Sequence, residues 1–563
     1  MRPMLTVLLL YGFYFAVGQQ SYPKGYFRNP LNIPISLSGN FGELRPNHFH
    51  MGIDIKTAQR ENLPVYAAAE GYVSRIKIEP GGFGRAIYIT HPNGYTTLYA
   101  HLNNFAAKID AFVKQQQYAL ESWKVELQVR PDLLPVKQGD FIAYSGNTGG
   151  SQAPHLHFEI RRTEDDMNLN PLLFGLPLKD NVRPRILRFA VYDRTRSVYE
   201  QTPRIAAAKA SAGNYISSPS VVKIGSPLVS FAITAFDAHT GSSNLNGIYS
   251  ATLYVNDAEE ESFTMNNISY NDTRYLNAHI DYRYKTLSGS YLQHLSELPG
   301  FFGSIYSDGD SKGVIDISDG NIYDVLVVVR DAAGNKSQLK TRVQFDPKVP
   351  LSPPAAGKIF YPLMLEGSEN ENCEFFIGEK CLYDSVHISY KNTVSGEPDV
   401  LSDVHTIGAS YIPLQDSFLV RIAPDLSFTE SDRPFTVMQW TNGGKSAVQK
   451  VQWQERWASA KFRDFGNFQL VRDTVPPEIT LSFSDWADLS RATRITFNVR
   501  DNLQSVKNVR PELDGKWLRF TNDKNRSFIY QFDEKCLTGP HVLKISAEDE
   551  AGNKTTVSYN FVR

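Results

Sequence analysis

The stretch "HFHMGID", residues 48–54, sets two histidines and an aspartate within seven positions, and "PHLHFE", residues 154–159, adds two more histidines one residue apart. The fold turns on whether these two stretches come together. Successive residues of a β-strand point to opposite faces, so His155 and His157 share one face and Leu156 takes the other. The first stretch alternates likewise, with His48, His50, Gly52 and Asp54 on one side and Phe49, Met51, Ile53 and Ile55 on the other. On a flat strand His50 and Asp54 would stand about 13 Å apart, too far to share a metal through bonds of about 2 Å. If both are ligands, the chain bends between them, and Gly52 is the residue that permits it.

The chain between the two stretches also reads as strands. "AAAEGYVSRIKI" (67–78) and "GRAIYITHPNGYTTLYAHL" (84–102) alternate, and the second turns at Asn93-Gly94, a tight hairpin signal. On the strand after that turn, Tyr95, Thr97, Tyr99 and His101 are expected on one face, and His91, beside Pro92, is expected to be exposed. Helical periodicity is scarce, and its best stretch runs from Ile109 to Trp123.

Further along, "DNVRPRI" (180–186) and "DTVPPEI" (473–479) share the pattern D-x-V-x-P-x-I, and "DPKVPLSPP" (346–354) is another proline-rich junction. Proline stops helices and favours extended chain, which suits connections between domains. An internal repeat agrees: "VLVVVRDAAGNKS" (325–337) and "VLKISAEDEAGNKT" (542–555) both run an apolar strand into D-x-A-G-N-K. Each continues into a second alternating strand, as a β-hairpin does. Calcium could bind such turns, but Asp, Asn and Gly are also simply what tight turns use. The modules ending in these hairpins read as immunoglobulin-like β-sandwiches. Residues 355–470 look β-rich without a signature.

At roughly 100–200 residues per domain, 563 residues hold several domains. A net charge of −2 suggests no surface for nucleic acid or anionic lipid. Arg2 followed by the apolar run Leu5 to Val17, with Ala16-Val17-Gly18 behind it, reads as a signal peptide cleaved after Gly18. Without a cysteine at that point, a lipid anchor is not expected, and no later stretch has the ~20 apolar residues of a membrane span. In an exported protein Cys373 and Cys381 could pair across a short hairpin, leaving Cys536 single.

"HFHMGIDI", "VYAAAEGYV", "YAHL", "VKQGDFIAYSGNTGG" and "PHLHFEIR" resemble, in order and spacing, the lysostaphin-type (LytM-type) zinc endopeptidases of bacteria, over roughly residues 30 to 172. The resemblance implies one zinc ion held by His50, Asp54 and His157, with His101 and His155 serving the catalytic water. Three protein ligands leave the fourth tetrahedral position for water, the arrangement of a catalytic site. No H-E-x-x-H helix is present, so a glutamate base of the thermolysin kind is not supported. Glu159, on the face of His157, is expected to support that ligand, and His48 is left outside the ligand set. Arg45 and Asn147 are assigned no role. The segment from about 106 to 134 departs from the family pattern and is expected to form an insertion beside the groove.

The expected fold is mainly β: a signal peptide (1–18), an antiparallel β-sheet LytM-type peptidase domain (19–175), an immunoglobulin-like module (180–347), a β-rich module (355–470) and an immunoglobulin-like β-sandwich (473–563). The expected function is an exported zinc metalloendopeptidase hydrolysing stem or cross-link peptides of peptidoglycan, in the periplasm or envelope of a bacterium or outside it. The C-terminal β modules would dock at the wall or on an envelope protein. Two alternatives are a catalytically silent LytM-type regulator and a wall-binding envelope protein in which the histidines are incidental.

Overall fold

The computed structural model describes residues 22–307, 309–426, 428–525 and 527–563; the expected signal peptide at 1–18 lies outside them. Strands dominate throughout, and no helix among the described residues is long and apolar enough to cross a membrane.

The first domain is built on an antiparallel sheet ordered Leu37–Gly39, Ile53–Lys56, His155–Arg162, Tyr95–Ala100, Arg85–Thr90, Gly71–Ile78, Val125–Gln128. The two histidine stretches therefore become neighbouring strands, with His157 opposite Asp54 on one side and Ala100 on the other. Ile53, Ile55, Leu156, Phe158 and Ile160 turn to the domain core, each burial being worth about 1.5–3 kcal/mol. That pull fixes the register, because a slip of one residue would turn every apolar side chain out of the core. Asp54, His155, His157 and Glu159 are left on the opposite face.

The helix spans Ala107–Ala119, four residues short of Trp123. Glu121 adopts φ 47°, and the chain turns into the strand Val125–Gln128 on the sheet edge, burying Trp123 separately. The 106–134 insertion is thus not beside the groove, and it lies at the far edge of the sheet from His157. There it receives the C-terminal module: Gln117 accepts from Arg519 Nε at 2.5 Å, Arg510 pairs with Glu121 at 2.7 Å, and Tyr118 meets Trp517 edge-on at 5.3 Å.

The modules do not hang as separate beads. Phe49 and Met51, the apolar half of "HFHMGID", leave the first domain's core and join a cluster that runs through residues 186–470. The strand Asn168–Leu169 pairs with Asn267–Ile268 of the second module. That module centres on a sheet containing Arg185–Asp193, Leu228–Phe236, Ile322–Arg330 and Lys336–Phe345. Residues 366–472 form two five-stranded sheets, and residues 478–562 a three-stranded and a five-stranded sheet around a core of their own. Both D-x-A-G-N-K turns close hairpins, Ile322–Arg330 with Lys336–Phe345 and Pro540–Glu548 with Lys554–Val562. Cys373 and Cys381 are not paired. All three cysteines are buried free thiols, and Cys381 Sγ donates to the Ser417 carbonyl at 3.6 Å.

Candidate metal centre

The bend required at Gly52 is present. The strand containing His48 stops at Phe49, and the next begins at Ile53. A methyl group on Gly52 would meet the Phe158 carbonyl oxygen at 2.5 Å and Glu159 Cγ at 2.8 Å, so the close approach of two backbones, rather than a left-handed φ, demands glycine here. The bend brings His50 back over Asp54.

His50 Nε2 lies 3.0 Å from Asp54 Oδ1, His157 Nδ1 lies 2.9 Å from the same oxygen, and the two nitrogens are 3.1 Å apart. All three side chains are buried. Ligands around a tetrahedral zinc, at bonds of about 2.0–2.2 Å, stand about 3.3 Å from one another, so a few tenths of an ångström of expansion would admit the ion. The outer atoms support the same orientation. His50 Nδ1–H donates to the Asn40 carbonyl at 2.7 Å and His157 Nε2–H to Glu159 Oε1 at 2.8 Å. These bonds occupy the outer nitrogens and turn His50 Nε2 and His157 Nδ1 to Asp54 Oδ1, where each donates a hydrogen bond as long as no metal ion displaces its proton. Arg45 Nη2 donates to Asp54 Oδ2 at 3.0 Å, leaving Oδ1 as the inward oxygen. The donor set fits a zinc ion.

Electrostatics follow from this packing. Burial alone would raise the Asp54 carboxyl, but the charge of His50 and hydrogen bonds from His155, His157 and His50 hold it well below the usual carboxylate range. Burial would likewise raise Glu159, yet Arg161 and His157 bring it down to about 2. It is an ionised carboxylate bound to His157, Arg161 and Asn168.

His101 follows a different rule from its strand. The strand ends at Ala100, and His101 takes φ 58°, a conformation a residue with a side chain adopts only when its surroundings hold it there. The alternation that puts Tyr99 in the core is broken, and the His101 ring turns to the other face, 4.8 Å from the His155 ring and 5.9 Å from that of His157 between centroids. It therefore does not share the face of Tyr95, Thr97 and Tyr99. His101 Nδ1–H donates to the Thr148 carbonyl at 2.9 Å and His155 Nδ1–H to that of Ala153 at 2.8 Å. Both rings turn Nε2 towards the groove, where His155 Nε2 stands 3.3 Å from Asp54 Oδ1. Burial first, then His155 and His157, push His101 down to about 3, so its ring is neutral at neutral pH.

Two other histidines are placed outside the centre. His48 lines the groove, bonded to the Pro46 carbonyl. His91 is buried rather than exposed, since its ring bridges the Glu70 carbonyl and Thr97 Oγ1 at 2.6 and 2.8 Å.

The groove around the centre encloses about 860 Å³ and takes two wall residues from the second module, Asn244 and Tyr270. Lys56 Nζ reaches Asn244 Oδ1 at 2.6 Å, and Arg161 lies over the Tyr270 ring at 5.2 Å. Neither residue carries a local motif, and only the packing of the modules brings them here. At the opposite rim, Lys524 of the C-terminal module donates to the Ser151 carbonyl at 2.9 Å, and Ser151 Oγ lies 3.2 Å from His155 Nδ1.

Residues 48–119 and 126–171 match the model of peptidase family M23, and residues 366–473 that of the Zu5-like domain. The chain carries a LytM-type domain of peptidase family M23, and that match together with the His-Asp-His triad implies a metal site. An uncharacterized metalloprotease of Haemophilus influenzae is 32% identical over 175 residues, covering 30% of this chain and 30% of that protein. The DD-carboxypeptidase/endopeptidase Mpg of Neisseria meningitidis is 32% identical over 157 residues, covering 28% and 27%. The chain spans under a third of the length of these curated relatives. The catalytic domain of lysostaphin from Staphylococcus simulans is 24% identical, covering 27% of this chain and 92% of that one, with a TM-score of 0.17.

Proposed function

We propose that this protein is an exported zinc metalloendopeptidase that hydrolyses peptide bonds of peptidoglycan in the bacterial envelope, with one zinc per chain at His50, Asp54 and His157. The observation that carries this reading is the convergence of two imidazole nitrogens and one carboxylate oxygen within 3.1 Å, with the outer nitrogen of each ring already donating elsewhere. When bound, zinc supplies Lewis acidity that brings the pKa of water at its open position near 7. His101 and His155 line the same groove with their Nε2 atoms turned into it, placed to serve that water. One would take the proton of the attacking water at Nε2 and, as imidazolium, hydrogen-bond the developing oxyanion or return that proton to the leaving amine, while the neutral other would orient the water by accepting from it. The sum is one water consumed, one C–N bond broken, and a carboxylate and an amine released. Peptidoglycan as substrate is supported by the names of relatives, among them the peptidoglycan DD-endopeptidase ShyA of Vibrio cholerae and the DD-carboxypeptidase/endopeptidase Mpg of Neisseria meningitidis.

The test is mass spectrometry of peptidoglycan fragments digested with and without a zinc chelator, alongside His50→Ala and His157→Ala. New amine and carboxyl ends that vanish in the chelated and mutated samples are expected. Cleavage unchanged in both variants would contradict the assignment.

A further inference from the structure

The two D-x-A-G-N-K turns acquire partners in the fold that no local reading supplies. Asp331, from the first turn, converges with Asp180 of the linker "DNVRPRI" and with Asp237 just beyond the strand Leu228–Phe236; one carboxylate oxygen from each lies within 4.8 Å of the others. Asp549, from the second turn, converges in the same way with Asp473 of the linker "DTVPPEI" and with Asp501 just beyond the strand Arg494–Arg500.

The resemblance extends to individual hydrogen bonds. Asn335 Nδ2 donates to Asp331 Oδ2 at 2.8 Å and to the Asp180 carbonyl at 3.4 Å. Asn553 Nδ2 donates to Asp549 Oδ2 at 2.8 Å and to the Asp473 carbonyl at 2.9 Å. The linker aspartates each accept from the backbone two residues on, Val182 in one case and Val475 in the other.

The turns' own hydrogen bonds do not use up these carboxylates. Asp237 is 7% exposed and its Oδ1 has no hydrogen-bond partner; Asp473 is 1% exposed and its Oδ2 has none. Asp501 Oδ1 is likewise unpartnered. Among the described residues no lysine or arginine forms an ion pair with any of the six. Lys450, close enough to the second cluster to feel Asp549 and Asp473, spends its ammonium on the carbonyls of Pro434 and Ala551. Three carboxylates gathered together, two of each three buried and with orphaned oxygens, carry an uncompensated desolvation and repulsion cost. Burial first, then Asp331 and Asp180, accordingly push Asp237 up to about 7.

We propose that Asp180–Asp237–Asp331 and Asp473–Asp501–Asp549 are a duplicated pair of calcium sites, each locking a proline-containing linker onto the β module that follows it. The donors are all oxygen, which suits a hard cation and disfavours zinc. Calcium accepts six to eight oxygens at about 2.3–2.6 Å in irregular geometry, so a side-chain triad supplemented by backbone carbonyls and water can serve it. Magnesium demands a near-octahedral shell. An ion in each site cancels the repulsion and ties three separate chain segments together, and because it binds only the folded form it raises stability with its concentration.

The experiment is calorimetric titration of the full chain with calcium chloride in metal-free buffer, followed by thermal melts at each concentration. Wild type and His50→Ala should both bind two equivalents, which separates this proposal from the fate of the peptidase reading. Asp237→Asn should weaken one equivalent tenfold or more, Asp501→Asn the other, and the double variant both. Without calcium Asp237→Asn should melt no lower than wild type, since it removes repulsion; with calcium it should melt lower. If Asp237→Asn fails to fold, Asp180→Asn at the half-buried end of the triad bears the same test. Absence of calcium binding, binding indifferent to both substitutions, or magnesium giving the same heats and melting shifts would overturn the assignment.

Discussion

Gly52 has little room to change, because the Phe158 carbonyl and Glu159 Cγ stand where its Cβ would be. Gly52→Ala is expected to cost about 1–3 kcal/mol through overpacking, read by urea denaturation, and to lower zinc occupancy by opening the bend. A second prediction concerns Glu159, which holds the ring of His157 at 2.8 Å. Glu159→Gln should weaken zinc binding roughly ten- to hundredfold, measured by competition with a chromophoric chelator; unchanged affinity would mean the carboxylate only neutralises Arg161. How much of this was legible in the sequence varies residue by residue. Strand alternation and the reach of a metal bond are local constraints, so a bend at Gly52 follows from the sequence once His50 and Asp54 are both taken as ligands. The orientation of His101 could not, because a single left-handed residue at the strand end reverses the face that alternation assigns. His91 departs from expectation for a related reason: proximity to a turn says nothing about the buried carbonyl and hydroxyl on either side of its ring.

At the scale of elements, the hairpins declared themselves through Gly-Asn turns and alternating flanks, while their acidic partners did not. Asp237 and Asp501 sit at strand ends with nothing in their neighbourhood to mark them, and only the strand order sets them beside Asp331 and Asp549. This makes a pH prediction. The Asp237 carboxyl, raised to about 7 by burial, Asp331 and Asp180, has an ordinary unfolded value near about 3.9. Its folded value is the higher, so its contribution to stability is fully present below about pH 4 and is lost as pH rises through about 7. In calcium-free buffer the melting-temperature difference between wild type and Asp237→Asn should therefore shift against wild type from pH 5 to pH 8. A difference independent of pH would contradict the raised carboxyl. The 106–134 insertion shows the opposite limit of sequence reading: its helix was visible in the pattern of apolar residues, but its location was not, because the strand that follows it chooses the far edge of the sheet.

Across the whole molecule, the groove is a joint product of three modules. Phe49 and Met51 anchor the His50 stretch in the second module's core, Tyr270 and Asn244 wall the groove, and Lys524 holds the Ser151 rim beside His155. None of the contacts between modules has a sequence signature, since each joins residues more than a hundred positions apart. The C-terminal module rests on the insertion through Trp517 and Arg519. The double variant Trp517→Ala, Arg519→Ala is expected to cost roughly 2–4 kcal/mol of docking energy, to raise the radius of gyration in small-angle scattering, and to split the thermal transition in two. A single transition with unchanged dimensions would show the module to be held by other contacts. The central claim is that two distant stretches fold to clasp one cation, and anomalous diffraction at the zinc absorption edge addresses it most directly. One peak per chain within bonding distance of His50 Nε2, Asp54 Oδ1 and His157 Nδ1 is predicted; zinc-loaded crystals with no peak there, or with the peak on other residues, would contradict it.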